Sequence, residues 1–239
     1  MSHTLNLEPP LYCFASEQLR TDFPPVTSAL QDPDGLLAAG GDLRRERLFE
    51  AYRHGIFPWY DAGQPILWWS PDPRAVLYPE RLHVSRRLGR TLRRGRFEIR
   101  IDSAFREVIE ACAGPRRNGD GTWLVEDMIQ AYTGLFRQGD AHAIECWQDG
   151  RLVGGLYGVS IGAVFFAESM FSHVSDASKV CMVALCERLS EWGYALIDCQ
   201  IINPHLRRMG VQTLPRADFI RQLEQLCTKD VSPQAWGHG

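Results

Sequence analysis

No stretch of the 239 residues approaches the length of a membrane span, and residues 1–20 lack the basic-then-apolar layout of a signal peptide. A cytoplasmic protein with no membrane attachment is expected. The seven cysteines (13, 112, 146, 181, 186, 199 and 227) are odd in number and scattered, with no C-x-x-C pair. That excludes a disulfide framework and a thiolate zinc site, leaving reduced and mostly buried thiols. His54, His83, His142, His173 and His205 share no metal-ligand spacing, and none stands beside a Ser or Cys in a nucleophile motif. Gly40-Gly41 is not followed by Lys-Ser/Thr, so it reads as a turn rather than a phosphate loop. Internal repeats and low-complexity segments are absent. No metal and no cofactor are expected.

Charge is present but unevenly spread. The net charge is −3, yet residues 1–73 carry −5, residues 74–100 carry +7 and residues 101–239 carry −5. Between Arg81 and Arg100 there are eight arginines and a single acid, Glu98. Ser85 can cap a helix running to about Arg94, and Arg86, Arg87, Arg90, Arg93 and Arg94 fall on one of its faces. With no acids at i+4, such a face repels itself unless phosphates neutralise it, which points to a nucleic-acid backbone.

The second unusual feature is Ala195 to Asn203, an apolar stretch that reads as a buried strand carrying polar residues. A period of two puts Leu196, Asp198, Gln200 and Ile202 on one face, with Asp198 and Gln200 roughly 7 Å apart along the strand. A carboxylate and an amide in apolar surroundings need partners, because an unpaired buried polar group costs about 2 kcal/mol or more.

The remaining elements follow from periodicity. Asp42 and Glu46 stand near the spacing of a capping box for a helix from about Leu43 to His54. Trp59, Trp68 and Trp69 lie among prolines, where some can stand at a surface and stack on a flat ligand. Arg74 to Glu80 reads as a strand. Phe97, Ile99 and Ile101 alternate as another, and Phe105 to Cys112 and Met128 to Phe136 give helical stripes. Pro115 to Gly121 is a polar loop leading into Gly121-Thr-Trp123. Ala143–Trp147, Leu152–Ser160 and Ala163–Ser169 read as three consecutive antiparallel strands. Asp176 then caps a helix that Gly193 closes. A short helix near His205 to Met209, a strand near Val211 to Leu214 and a helix from Arg216 to about Cys227 finish the chain. This order describes an α+β protein with a mixed sheet and helices packed on it.

Five segments in order, Gly55-Ile-Phe-Pro-Trp59, Trp68-Trp-Ser-Pro-Asp-Pro-Arg74, Gly121-Thr-Trp123, Ala167-Glu-Ser-Met-Phe-Ser172 and Leu196-Ile-Asp-Cys-Gln200, resemble those of the leucyl/phenylalanyl-tRNA protein transferases. The match covers roughly residues 22–226. The C-terminal part also resembles the wider acetyltransferase-like fold through Asn203, Met209 and Gly210. The resemblance implies a small N-terminal α/β domain over residues 1–73 and an acetyltransferase-like catalytic domain over 74–239, with helices on both faces of its sheet. It implies transfer of Leu or Phe from aminoacyl-tRNA to proteins whose first residue is Arg or Lys, marking them for degradation. The basic helix would hold the tRNA acceptor stem, and Trp59 and Trp123 would stack on its terminal adenosine. Leu156, Phe165, Met170, Leu185 and Ile197 would form the pocket for the transferred side chain. Asp198, Gln200 and Glu168 would be the catalytic residues. In one version Asp198 takes the amine proton through Gln200; in another Gln200 only holds the amine and Asp198 raises its basicity directly or through water. A monomer is expected.

Two other readings stay open from the residues alone. An acyl-CoA N-acetyltransferase of the same fold needs a glycine-rich pyrophosphate loop, and the corresponding junction, Ser172-His-Val-Ser-Asp-Ala-Ser178, has no glycine. A non-catalytic RNA-binding module would use the basic helix and tryptophans but would leave the paired acids without a task.

Overall fold

A computed structural model describes residues 11–14, 21–114 and 124–237. Two sheets organise the chain. In the N-terminal part, β1 (Tyr12–Cys13), β2 (Leu36–Ala39), β3 (Phe57–Pro58) and β4 (Leu67–Trp69) form a small sheet in the order β1-β2-β4-β3, with helix α1 (Arg45–Arg53) between β2 and β3. Trp68 is fully buried here, and its indole donates to the Gly40 carbonyl at 2.9 Å.

The larger sheet has seven strands in the order β11-β5-β10-β9-β8-β7-β6. They are β5 (Arg74–Leu77), β6 (Glu98–Ile101), β7 (Ala141–Gln148), β8 (Arg151–Ile161), β9 (Val164–Ser172), β10 (Leu196–Gln200) and β11 (Gln212–Leu214). All its neighbours are antiparallel except β9 and β10, which are joined by the crossover helix α5 (Ala177–Trp192). The other helices are α2 (Arg86–Arg93), α3 (Phe105–Ala113), α4 (Glu126–Arg137), α6 (Pro204–Arg208) and α7 (Arg216–Leu226).

The alternation of side chains along the strands builds two cores. Phe165 and Ile197 face α5, joining Cys181, Leu185 and Leu189. Their strand neighbours Phe166 and Leu196 point the other way, onto Val108, Met128, Tyr132, Phe219 and Leu223. The mixed sheet with helices on both faces is the expected one. That second cluster also takes in Leu37, Leu48 and Trp68, so the N-terminal segment packs into the same core. Burial of an aliphatic or aromatic side chain is worth about 1.5–3 kcal/mol. Helix α5 sits close against β8 because position 154 is glycine: a Cβ there would lie 2.5 Å from that of Ala177.

Local expectations fare unevenly. Ser85 caps α2 as read, its Oγ accepting from the Leu88 amide at 3.2 Å, and Gly193 closes α5 at φ +88°. The capping box does not form. Helix α1 starts after Arg44, and Asp42 instead accepts from the Arg44 amide (3.0 Å) and pairs with the Arg44 and Arg47 guanidiniums. Asp176 precedes α5 at φ +70° without a side-chain cap; its carboxylate goes to Lys179 at 2.6 Å. The cationic partners win because an ion pair satisfies both charges, whereas a cap satisfies one amide. The strand expected over Ala195–Asn203 is shorter, and it ends at Gln200 with φ +55°.

Candidate active site

Parallel strands β9 and β10 pair over three positions only, Val164 with Leu196, Phe165 with Ile197 and Phe166 with Asp198. Beyond them β9 continues to Ser172, while β10 shifts register on β5 between Asp198 and Gln200 and stops. A cavity of about 390 Å³ opens where the two strands part. Clefts at the carboxyl ends of parallel strands are common ligand sites, because the unpaired strand ends leave room and polar groups together.

Apolar lining comes from Leu156, Ala167, Met170, Met182, Cys199 and Leu206, together with buried Phe57 and Pro58, and from the exposed residues Trp59 and Ile201. Of the side chains expected to form an amino-acid pocket, Leu156 and Met170 line this space. Phe165, Leu185 and Ile197 are fully buried in the same cluster behind it, and Phe165 packs against Trp236 at 5.5 Å. Met182, three residues before Leu185 on the same face of α5, reaches the cavity instead. The i, i+3 relation could have singled it out.

Trp59 keeps 40% of its surface exposed at the cavity mouth. Its carbonyl accepts from the Trp69 indole at 2.6 Å, and the two rings lie 5.6 Å apart. The tryptophan-rich segment thus divides: Trp68 is core, and Trp59 is presented on a rigid support. Trp123 lies outside the described residues.

Among the described residues the polar lining consists of Glu168, Ser169, Gln200, Asn203 and His205, with Glu168 the one acid. Its carboxylate accepts from the Tyr52 hydroxyl at 2.8 Å and the Tyr132 hydroxyl at 2.9 Å, and the Gln200 amide donates to it at 3.4 Å. Burial pushes its pKa up to about 7, opposed by the two tyrosine hydrogen bonds. The negative charge of Asp198 raises it further and the positive charge of Arg74 lowers it. Although the residue is partly exposed at the cleft, its carboxyl is surrounded by protein, and desolvation is the larger influence.

Asp198 is not side by side with Gln200 as a regular strand would place it. It is fully buried and held by a two-pronged ion pair, Arg74 Nε to Oδ1 at 2.8 Å and Arg74 Nη2 to Oδ2 at 2.7 Å. The Gln200 backbone N–H adds a third donor, to Oδ1 at 2.9 Å. Arg74 also donates to the Gly55 carbonyl at 3.0 Å, and its guanidinium lies over the rings of Phe57 (4.7 Å) and Phe219 (4.9 Å). The reversal at Gln200 turns that side chain out of the strand plane and into the cleft.

Three participants were not evident from the sequence. Arg74 was visible only as the end of a motif, and Tyr52 and Tyr132 only as residues on helices packed into the core. A buried tyrosine hydroxyl needs a partner, a signal that both share, but the partner is fixed by tertiary packing.

On α2, Arg86, Arg87, Arg90, Arg93 and Arg94 are all exposed, while Leu88 anchors the helix in the α5 core. Arg87 lies 3.7 Å from Asp176; among the described residues no ion pair involves Arg86, Arg90, Arg93 or Arg94. Nor, among them, is any helix long and apolar enough to cross a membrane.

Solved structures similar to the chain include a GCN5-related N-acetyltransferase from Kribbella flavida, at 14% identity and TM-score 0.36, covering 70% of this chain and 59% of that one. Another is L-PGS from Bacillus licheniformis, at 12% identity and TM-score 0.38, covering 67% and 52%. Sequence relatives are far nearer. The leucyl/phenylalanyl-tRNA–protein transferase of Stutzerimonas stutzeri is 59% identical over 84% of this chain and 89% of its own length. That of Thiobacillus denitrificans is 56% identical over 90% and 94%. The family model described as leucyl/phenylalanyl-tRNA protein transferase matches residues 76–224, and the one for its N-terminal domain matches residues 41–72. This chain therefore belongs to the leucyl/phenylalanyl-tRNA protein transferases, a family of aminoacyltransferases.

Proposed function

We propose that the chain moves Leu or Phe from aminoacyl-tRNA to the α-amino group of proteins beginning with Arg or Lys, as a monomer in the cytoplasm, and that Glu168 receives the proton released. The donor ester is already activated, and the acceptor amine has an ordinary pKa of about 7.7–8.0. Catalysis is then mostly positioning, removal of a proton and support of the tetrahedral oxyanion, with no covalent intermediate. The nitrogen–carbon bond forms and the carbon–oxygen bond to the ribose breaks. One proton of the ammonium goes to the leaving ribose oxygen and one to Glu168.

The observation that carries this assignment is that Glu168 is, among the described residues, the one acid bordering the cleft, with Gln200 beside it, whereas the oxygens of Asp198 are taken up by Arg74 and the Gln200 backbone. Gln200 holds the amine, and Asp198 fixes the backbone from which Gln200 projects. Trp59 offers a face for the terminal adenosine, for which stacking contributes roughly 1–3 kcal/mol. Trp123 remains the proposed second face. Leu156, Met170, Met182 and Leu206 offer an apolar space, and its methionines can adapt to either Leu or Phe. Phe165, Leu185 and Ile197 form the packed layer that gives this space its shape. The exposed arginines of α2 suit the acceptor stem.

The test uses purified protein, labelled leucyl-tRNA and a peptide beginning with Arg, with acetyl-CoA as the competing donor. Transfer from leucyl-tRNA alone is expected, and Glu168→Gln should lower its rate about 100-fold or more while leaving tRNA affinity within twofold. Transfer from acetyl-CoA, or a fully active Glu168→Gln protein, would overturn the assignment.

A further inference from the structure

Three oxygen-bearing groups meet beneath the cleft. The Tyr52 and Tyr132 hydroxyls are 2.6 Å apart, Tyr52 is 2.8 Å from Glu168 Oε1, and Tyr132 is 2.9 Å from Glu168 Oε2. Each contact is short enough to contain a hydrogen. With Glu168 ionised, however, the two hydroxyls supply two hydrogens for three contacts. One contact must then bring lone pairs together, in a place where both tyrosines are fully buried and water does not relieve them. A third hydrogen completes the set: Glu168 Oε1–H donates to Tyr52, Tyr52 donates to Tyr132, and Tyr132 donates to Glu168 Oε2.

We propose that Glu168, Tyr52 and Tyr132 form a closed ring of proton-sharing oxygens that holds the proton taken from the acceptor amine, the two tyrosines being positioning residues for the carboxyl. This rests on the reading of Glu168 as the proton acceptor. The step balances within the proposed reaction: the acceptor nitrogen loses one proton to the carboxylate as it becomes nucleophilic, and that proton returns to solvent after the product leaves. The carboxyl is hydrogen-bonded in both states, and only the third hydrogen closes the remaining contact. Two donors stabilise the carboxylate before transfer, and the three-hydrogen ring accommodates the acid afterwards.

The ring is placed by separate elements. Tyr52 comes from α1, Tyr132 from α4 and Glu168 from β9. The other ionisable groups facing Glu168 are Tyr157 from β8, Asp198 from β10 and Arg74 from β5. All three are unchanged in phenylalanine variants at positions 52 and 132, so a shift between those variants and the parent reports the ring. Removing one hydroxyl takes a donor from the buried carboxylate. The charged form loses support, and the pH at which Glu168 ionises moves upward.

The experiment is the single-turnover transfer rate from leucyl-tRNA to one Arg-initiated peptide from about pH 6 to about pH 9. The acceptor's own amine titrates identically in every variant. The parent rate should rise through about pH 7. Tyr52→Phe and Tyr132→Phe should each move that rise upward by about one pH unit, losing roughly fivefold at neutral pH and recovering to within about threefold at the alkaline end. A merely structural tyrosine would lower the rate at all pH values without moving the rise. If the rise stays in place in both variants, or in whichever of the two folds, the ring is wrong. Glu168→Gln separates the two levels. Loss of the rise in that variant leaves the base assignment standing even if the ring fails, and its persistence removes both.

Discussion

Glu168 carries a pH dependence of stability as well as of rate. Its folded pKa of about 7 lies above the ordinary 4.5, so between those values the folded protein binds more protons than the unfolded chain. Folding is therefore favoured at the acid side of this window, and the contribution is lost as pH rises through about 7. Denaturant titrations of the parent and Glu168→Gln proteins should show the parent losing stability relative to the variant over that interval. A difference constant with pH would mean that the carboxyl titrates normally. The sequence showed this glutamate as one letter in a strand motif. Its partners come from residues 116 and 36 positions away in the chain, and no local pattern encodes such a meeting. Asp198 was legible as buried and in need of a partner; that the partner is Arg74 is a consequence of β5 lying beside β10.

Among the elements, α2 tests the charge reading most directly. Leu88 seats it, and its arginines face outward with little acidic compensation. Each phosphate contact contributes a salt slope of roughly 0.7 to 0.9 in log–log form, so Arg86→Glu with Arg90→Glu should weaken tRNA binding and flatten its salt dependence by about two such steps. Filter binding at several ionic strengths measures this, and an unchanged slope would remove the helix from the footprint. Helices and strands of this kind were largely readable, since the three-strand meander, α5 and α2 each have a clean period and an end signal. Their ends were less so. Strand β10 is expected to run three residues further, to Asn203, because alternation continues past Gln200, whereas the backbone reverses there. Polar residues at a strand end can mark either solvent or a turn into a cleft, and the sequence does not distinguish them.

In the molecule as a whole, Arg74 joins parts that sequence reading kept separate. It begins β5, reaches the carbonyl of Gly55 at the start of the segment bearing Trp59, and grips Asp198 two residues before Gln200. The sheet order that makes this possible was not recoverable from the chain, because β5 lies between β10 and β11 in the sheet but far before both in sequence. Losing one partner strands the other charge in the core, which costs about 3–5 kcal/mol. Arg74→Met should therefore unfold at a lower denaturant concentration, with an unfolding free energy reduced by about that amount. Arg74→Met with Asp198→Leu should recover much of the loss, because a pair of packed apolar residues often replaces a buried ion pair at little cost.

Positions 74 and 198 consequently form a coupled alphabet. A library randomised at both and screened only for soluble folding should return either oppositely charged or jointly apolar pairs, with lone charges missing. The same library screened for transfer should narrow to Arg with Asp, since the fork must set the backbone of Gln200 and the approach to Trp59 at once. Mutational paths between the two solutions run through intermediates that carry a lone buried charge and are about 3–5 kcal/mol less stable, so a single-step walk from this sequence tends to be held at the ionic pair even where an apolar one would fold.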